Sequence, residues 1–423
     1  MVTIITIGDE LLIGQVIDTN SAWIAQQLND VNISVDSVIS IHDDASQIKA
    51  TITQALQQSD IVLVTGGLGP TKDDITKTTL CELFNTRLIH SQDVEDNINR
   101  LWFQRNRQVL NPLTATQALV PANCEVIQNE VGTAPIMLWK TDGKILVSMP
   151  GVPYEMQVAM TKYVIPRLLQ EFPHTDIIMH RTVIVYGIPE SALAIQLEQW
   201  ETALPQNMHL AYLPKQGLVR LRLDATAPNN DDNRQRLSDQ LNQQIAQLSK
   251  IIGNNIISYH DEPLEVTLGN LLKARHQTIA SAESCTGGTI ASLLAKHSGS
   301  SEFYLGSVVS YANEVKHNVL GVSQSNLDTY GAVSEQVVRQ MAEGARLVVG
   351  SDWAIATSGI AGPTGGTADK PVGTIWIAVS GPDGTTAQCL HLGQLREQNI
   401  LRTSQAALAM AIRRLLCAGV TNS

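Results

Sequence analysis

The sequence predicts an α/β protein in which two three-layer α/β/α domains are joined by a small α+β domain. Three observations carry this. Short β-branched runs alternate with helix-period patterns at both ends of the chain. A middle stretch alternates apolar and polar residues with period two. Gly-, Ser- and Asp-rich loops follow several of the strand runs. At ~100–200 residues per domain, the 423 residues also exceed a single core.

The first strand is Val2–Ile7, ending at Gly8, and the helix after it aligns Trp23, Ile24, Leu28 and Val31. A second strand is expected over Ile33–Ile41, then a helix aligning Ile48, Ile52, Ala55 and Leu56, then a third strand over Asp60–Thr65. Continuous apolar runs separated by helices read as a parallel sheet covered on both faces. Ile145–Met149 is a late core strand, and Pro150–Pro153 turns into a helix reaching about Gln170. This gives a first domain over 1–172.

From Pro173 the period changes. Arg181–Tyr186, His209–Leu213 and Leu218–Asp224 read as half-exposed antiparallel strands, with helices over Glu190–Trp200 and Asp231–Lys250, in a spacer domain of 173–257. The polar, Pro-containing stretch Ser258–Pro263 opens the third domain, 258–423. Its elements are a helix over Leu264–Arg275, strands over Thr278–Ala282 and Phe303–Tyr311, and a helix over Thr286–Lys296. A further helix starts at the N-cap Ser334 and aligns Val337, Val338, Met341, Ala345 and Val348. Strands over Trp353–Thr357 and Thr374–Val379 follow, and the last helix packs Ile400, Leu401, Leu408, Ile412 and Leu415.

Composition narrows the function class. No apolar run approaches the ~18 residues of a membrane helix, and the N-terminus carries no basic leader segment, so a cytoplasmic protein without a membrane partner is expected. A net charge of −11 without a Lys/Arg block argues against nucleic acid as a partner. The five cysteines are scattered, with no CxxC pair, which fits reduced thiols better than disulfides or structural zinc. A multidomain α/β enzyme with a strand-rich insert is expected as a C2 homodimer.

The sharpest local signal is Ala282-Glu283-Ser284-Cys285-Thr286-Gly287-Gly288 at a strand-to-helix junction. A hydroxyl and a thiol lie there beside the N–H groups of a helix start, which could hold an oxyanion; Ser and Thr also simply cap helices. Tyr311 and Lys316 in Ser310–Lys316 form a possible proton relay, because a desolvated lysine titrates low enough to act as a base. The stretch Thr357–Thr367 reads as a backbone cradle for an anion such as phosphate, without the Gly-Lys-Ser/Thr of a Walker loop.

These residues resemble the nicotinamide-mononucleotide amidohydrolase domain of the CinA family over about 262–416. The matches are AESCTGG at 282–288, SYANEVK at 310–316, AVSE at 332–335, ATSGIAGPTGG at 356–366 and KPVGTIWIA at 370–378. The resemblance implies hydrolysis of the nicotinamide carboxamide to the acid with release of ammonia and no cofactor. It implies Ser284 as nucleophile and Tyr311 and Lys316 as activating partners. The mononucleotide would lie among Thr286, Gly287, Gly288, Thr357, Gly359, Ala361, Gly365 and Gly366. Arg396 and Arg402 are candidates for charge recognition and equally read as solvated helix residues. Cys285 is the competing nucleophile; the family pattern favours Ser284.

In the first domain, carboxylates and glycines gather at the carboxyl ends of the predicted strands. They are Gly8, Asp9 and Glu10; Asn20 in Asp18–Ser21; His42-Asp43-Asp44; and Gly66, Gly67, Gly69, Asp73 and Asp74 in the run from Thr65. Open α/β sheets bind ligands at this edge, and such a set suits a divalent cation bridging a phosphorylated ligand. Each Asp reads equally as a helix cap or a ligand. GGLGPTKDDIT at 66–76, GDELLIG at 8–14 and PGVPYEM at 150–156 resemble the molybdopterin-binding fold in its CinA-family version. That resemblance implies a metal-dependent ADP-ribose pyrophosphatase using Mg, Mn or Co, with Asp44 and Asp74 as the favoured ligands and Asp9, Glu10 and Asp73 behind them. The middle segment resembles the family's KH-like spacer without a GxxG loop. The expected partners are therefore small nucleotides, nicotinamide mononucleotide and ADP-ribose. The alternatives are an N-terminal domain that is inactive or binds a pterin, and a competence or DNA-damage adaptor.

Overall fold

A computed structural model describes residues 1–71, 73–106, 112–173, 176–215 and 217–418. Lys72, inside the GGLGPTKDDIT motif, lies outside the described residues. The chain divides into two compact units, Met1–Ile177 and Ile178–Ser423.

The first unit carries strands β1 (Val2–Ile7), β2 (Ser37–Ile41) and β3 (Ile61–Thr65). A short pair follows, β4 (Leu88–His90) with β5 (Leu119–Pro121), and then β6 (Glu125–Ile127), β7 (Ile136–Thr141) and β8 (Lys144–Met149). The main sheet runs β2-β1-β3-β8-β7-β6. Its first four strands are parallel, and β7 is antiparallel to β8 and β6. Helices cover both faces, which is why every residue of β1 is buried. Ile4, Leu63 and Val147 face Ile24, Leu28 and Met156; Ile5, Val62 and Val64 face Ile48 and Ile52.

The second strand begins at Ser37 rather than Ile33. Ile33 instead closes the preceding helix, its N–H donating to Leu28 O at 2.8 Å, and its side chain joins the helix-side core with Val35. The helix after Pro153 reaches Glu171 but widens to a π-turn at Met160–Val164. Pro166 follows directly and has no N–H to continue an α-helical ladder there.

The second unit opens with β9 (Asp176–Tyr186), β10 (Met208–Lys215), β11 (Leu218–Pro228) and β12 (Ile256–Ser258) in the order β10-β11-β9-β12. Burial alternates along β11, as a sheet with one exposed face requires. The other face does not end a separate domain. Ile184 and Ile257 belong to one core with Leu264, Leu268, Leu408 and Ile412, and the Arg413 guanidinium lies 5.0 Å over the Tyr186 ring.

The remaining sheet comprises β13 (Ile279–Glu283), β14 (Tyr304–Val309), β15 (Trp353–Gly359), β16 (Thr374–Gly381) and β17 (Gly384–His391), ordered β14-β13-β15-β16-β17. β13 is parallel to both neighbours, so three strand ends open on one edge. Helix Glu335–Val349 covers one face, with Ser334 accepting from Val337 N at its start; Arg396–Ala418 covers the other. Two expected core positions face solvent instead: Val348 is 56% and Leu401 37% exposed. Among the described residues no helix is long and apolar enough to cross a membrane.

Candidate active site

Ser284 follows β13 directly, and its N–H donates to Thr357 O on β15 at 3.0 Å. Lys316 comes from the short helix Asn313–Asn318, beyond the end of β14. Its ammonium donates to Ser310 O at 2.6 Å, Tyr311 O at 3.3 Å and Ser284 Oγ at 3.1 Å. Lys316 is 1% exposed, and among the described residues it has no ion-pair partner. Burial therefore pushes its pKa below the ordinary lysine value. Ser284 is half-buried, so its oxygen is reachable from the strand-end edge.

Among the described residues no hydrogen bond links the phenol of Tyr311 to Ser284. The phenol accepts from Arg396 Nη2 at 3.1 Å, while Nη1 of the same guanidinium donates to Gly362 O at 3.1 Å. Arg396 thus ties the glycine-rich loop to the end of β14. Arg402 stands beside the β10–β11 turn, its Cγ 4.0 Å from where a Cβ on Gly217 would lie, and among the described residues no hydrogen bond links it to the loop.

The N–H groups expected to face a ligand at the helix start are already occupied. Gly288 N and Ile290 N both donate to Glu283 Oε2 at 3.0 Å, and Ala291 N donates to Oε1 at 2.7 Å. The expected binding hydroxyls are used internally as well. Thr286 donates to Glu283 at 2.7 Å and pairs with Thr357 at 2.8 Å. Cys285 is buried, and burial pushes its thiol up to about 12, so it stays protonated. Gly359 and Gly366 are glycines for packing: a Cβ would sit 2.7 Å from Ile375 Cα and from Val372 N respectively. Ala361 is buried, its carbonyl accepting from Asn399, whereas Gly365 is exposed in the loop with φ +90°.

In the first unit the carboxyl ends of β1, β2 and β3 gather the expected motifs. Gly66 has φ +115°, and a Cβ there would meet Ile7 O at 2.1 Å. Asp74 holds the glycine-rich turn, accepting from Gly69 N at 2.7 Å and Thr71 N at 2.9 Å. Asn20 donates to Gly151 O at 2.8 Å, joining the first helix to the Pro150–Pro153 turn, while its own Oδ1 is buried without a partner among the described residues. Asp9 pairs with His42 at 2.8 Å. Asp73 is exposed.

Asp44, a favoured metal ligand, is the cap of helix Ala45–Gln58, accepting from Gln47 N at 2.9 Å. Its neighbour Asp43 faces the site instead. A Cβ on Gly67 would lie 3.3 Å from Asp43 Oδ1 and 2.1 Å from Thr76 Oγ1, a buried hydroxyl with no partner among the described residues. Burial raises the pKa of Asp43, and the charges of Asp9, Glu10 and Asp74 add to the rise. Reasoning from the sequence placed Asp43 in the strand-end set but favoured Asp44 over it, and did not single out Thr76 or the role of Glu283; adjacency alone cannot tell which of two aspartates caps the helix.

Among the described residues no three His, Cys, Asp or Glu side chains form a ready-made metal cage. A magnesium-class ion commonly takes one or two protein carboxylates and completes its shell with substrate phosphates and water. The cluster around Asp43 fits that donor set.

Residues 261–415 match the CinA C-terminal domain, 3–170 a probable molybdopterin binding domain, and 180–257 the damage-inducible protein CinA KH domain. A CinA-like protein of Flavobacterium psychrophilum is 44% identical over 415 residues, spanning 98% of each chain. One from Cytophaga hutchinsonii is 44% identical over 412 residues, spanning 97% of each. The solved structure of the competence/damage inducible protein CihA from Agrobacterium tumefaciens is 37% identical, covering 36% of this chain and 93% of that one, with a TM-score of 0.35. With relatives of this identity along nearly its whole length, the chain belongs to the CinA family.

Proposed function

We propose that the C-terminal segment deamidates nicotinamide mononucleotide to nicotinate mononucleotide and ammonia, with Ser284 as nucleophile and Lys316 as base. The observation that carries the reading is the 3.1 Å contact between a buried, ion-pair-free amine and the serine hydroxyl. Neutral Lys316 takes the Oγ proton as that oxygen bonds the carboxamide carbon. The ammonium then gives the proton to the departing nitrogen, and ammonia leaves. Water attacks the resulting ester with its proton passing to Lys316, and the regenerated hydroxyl recovers it. The N–H groups of Cys285 and Thr286, which donate to no backbone carbonyl among the described residues, are the oxyanion donors this turn offers. The loop from Thr357 to Gly366, tied down by Arg396, cradles the phosphate. The test is ammonia release from nicotinamide mononucleotide by wild type and Ser284→Ala; no release by wild type, or full release by the variant, refutes it.

For the N-terminal unit we propose hydrolysis of ADP-ribose to AMP and ribose 5-phosphate. Asp43 and Asp74 would hold a divalent ion, whose contribution when bound is to neutralise charge on the diphosphate. The glycine turn fixed by Asp74 lets backbone approach the phosphates, and Asn20 fixes the opposite wall. AMP formation from ADP-ribose with Mg²⁺, Mn²⁺ or Co²⁺, absent under chelator, is the expected result.

A further inference from the structure

Glu283 is fully buried and ends β13 immediately before the nucleophile. Its carboxylate accepts from four groups: Thr286 Oγ1 at 2.7 Å, Gly288 N and Ile290 N at 3.0 Å and Ala291 N at 2.7 Å; Ser281 Oγ lies 3.3 Å away but gives its one proton to Ser307 Oγ at 2.8 Å. The chain can wrap around one side chain so tightly because Gly287 and Gly288 take φ values of +60° and +100°, a conformation that side chains disfavour. Thr286 gives its only proton to the carboxylate, so the 2.8 Å contact with Thr357 must be donated by Thr357. The order of hydroxyl protons is thereby fixed, Thr357 to Thr286 to Glu283. Thr357 also accepts Ser284 N through its carbonyl, so the same buried chain reaches the nucleophile from its other side.

We infer that Glu283 is a positioning residue for the amidase. A fully buried side chain that accepts four hydrogen bonds pins the turn that carries Ser284 and withdraws the first N–H groups of the following helix from substrate. Two consequences follow, both resting on the amidase reading above. The oxyanion is left to Cys285 N and Thr286 N, whose direction the turn sets. The substrate phosphate is excluded from the helix start, which is occupied by a carboxylate, and must lie on the glycine-rich loop.

Glu283→Gln tests this because the amide has the shape of the carboxylate but not its acceptors. With its nitrogen at the Oε1 position it meets the Ala291 N–H; at the Oε2 position it meets the N–H groups of Gly288 and Ile290. Neither flip avoids a donor against a donor. Full-length protein in excess over nicotinamide mononucleotide should show a single-turnover rate constant lower by on the order of 100-fold, since small misplacements of reacting groups cost this much. Substrate affinity should stay close to wild type. A rate constant measured with protein in saturating excess does not report the folded fraction, so mere loss of stability leaves it unchanged. If Glu283→Gln does not fold, Thr286→Val and Thr286→Ser decide: Val should lose the rate and Ser restore it. A wild-type rate constant in Glu283→Gln, or in Thr286→Val, overturns the inference. Absence of turnover in the wild type instead overturns the amidase reading on which it rests.

Discussion

Lys316 reaches Ser284 from the neighbouring strand end, and its remaining hydrogen bonds go to two backbone carbonyls rather than to a carboxylate. A lysine so placed is held in position without being held charged. Replacing it with Met should lower amide hydrolysis on the order of 10³-fold, the scale of a lost general base. Lys316→Arg should not restore it, because a guanidinium does not give up its proton. Only the neutral amine can act, so kcat should rise with pH through a pKa below 10.5 and not fall above it. A flat pH profile in the wild type would contradict this assignment.

Cys285 lies one residue from the nucleophile but is held as a thiol. Cys285→Ala should keep most of the amidase activity, and iodoacetamide near neutral pH should leave the wild type active. Rapid inactivation with label on Cys285 would transfer the nucleophile's role to sulfur.

The phenol of Tyr311 and the guanidinium of Arg396 form one hydrogen-bonded unit. Tyr311→Phe and Arg396→Gln should therefore each weaken binding of nicotinamide mononucleotide, and the double variant should lose less than the sum. Strict additivity in KM would show that the two act separately.

In the N-terminal unit two adjacent aspartates should separate cleanly. Asp43→Asn should abolish metal-dependent cleavage of ADP-ribose, whereas Asp44→Asn, still a competent cap, should leave both cleavage and melting nearly unchanged. Rates of AMP formation from the two variants decide it.

Lys77 is buried on the helix Thr76–Leu83, bonded to Leu119 O at 2.8 Å, and burial lowers its pKa to about 8. Between that value and the ordinary 10.5 the unfolded chain binds a proton that the folded chain does not. Stability of the N-terminal unit should rise with pH across this window. Protection of the β3 amides against hydrogen exchange, corrected for intrinsic rates, should show the rise in wild type and lose it in Lys77→Met.

The parts of this architecture governed by local chemistry were legible in the residues. β1 announces itself by six consecutive β-formers, and Ser334 caps its helix as its residue type and place suggest. The strand-end position of Ser284 and the proximity of Lys316 were legible too, because parallel neighbours bring their loops to one edge. Features that need the third dimension were not. Nothing local says that Glu283 curls over the following helix start, or that Asp43 rather than Asp44 turns inward. Ile33 reads as a strand residue until the helix core is there to receive it. The β7–β8 hairpin did carry a local signal, Asp142-Gly143 with φ +49° and +77°, typical of a tight two-residue turn.

The shared core of Ile184, Ile257, Leu408 and Ile412, closed by Arg413 over Tyr186, bears on how the chain comes apart. A KH-type insert is easily imagined as a detachable bead between two larger domains. Here its inner face is the floor of the C-terminal α/β segment, so heating cannot melt one and spare the other. Scanning calorimetry should record two heat-absorption peaks, not three, and a cut at the 258–263 stretch should leave both fragments sticky with newly wetted isoleucine and leucine.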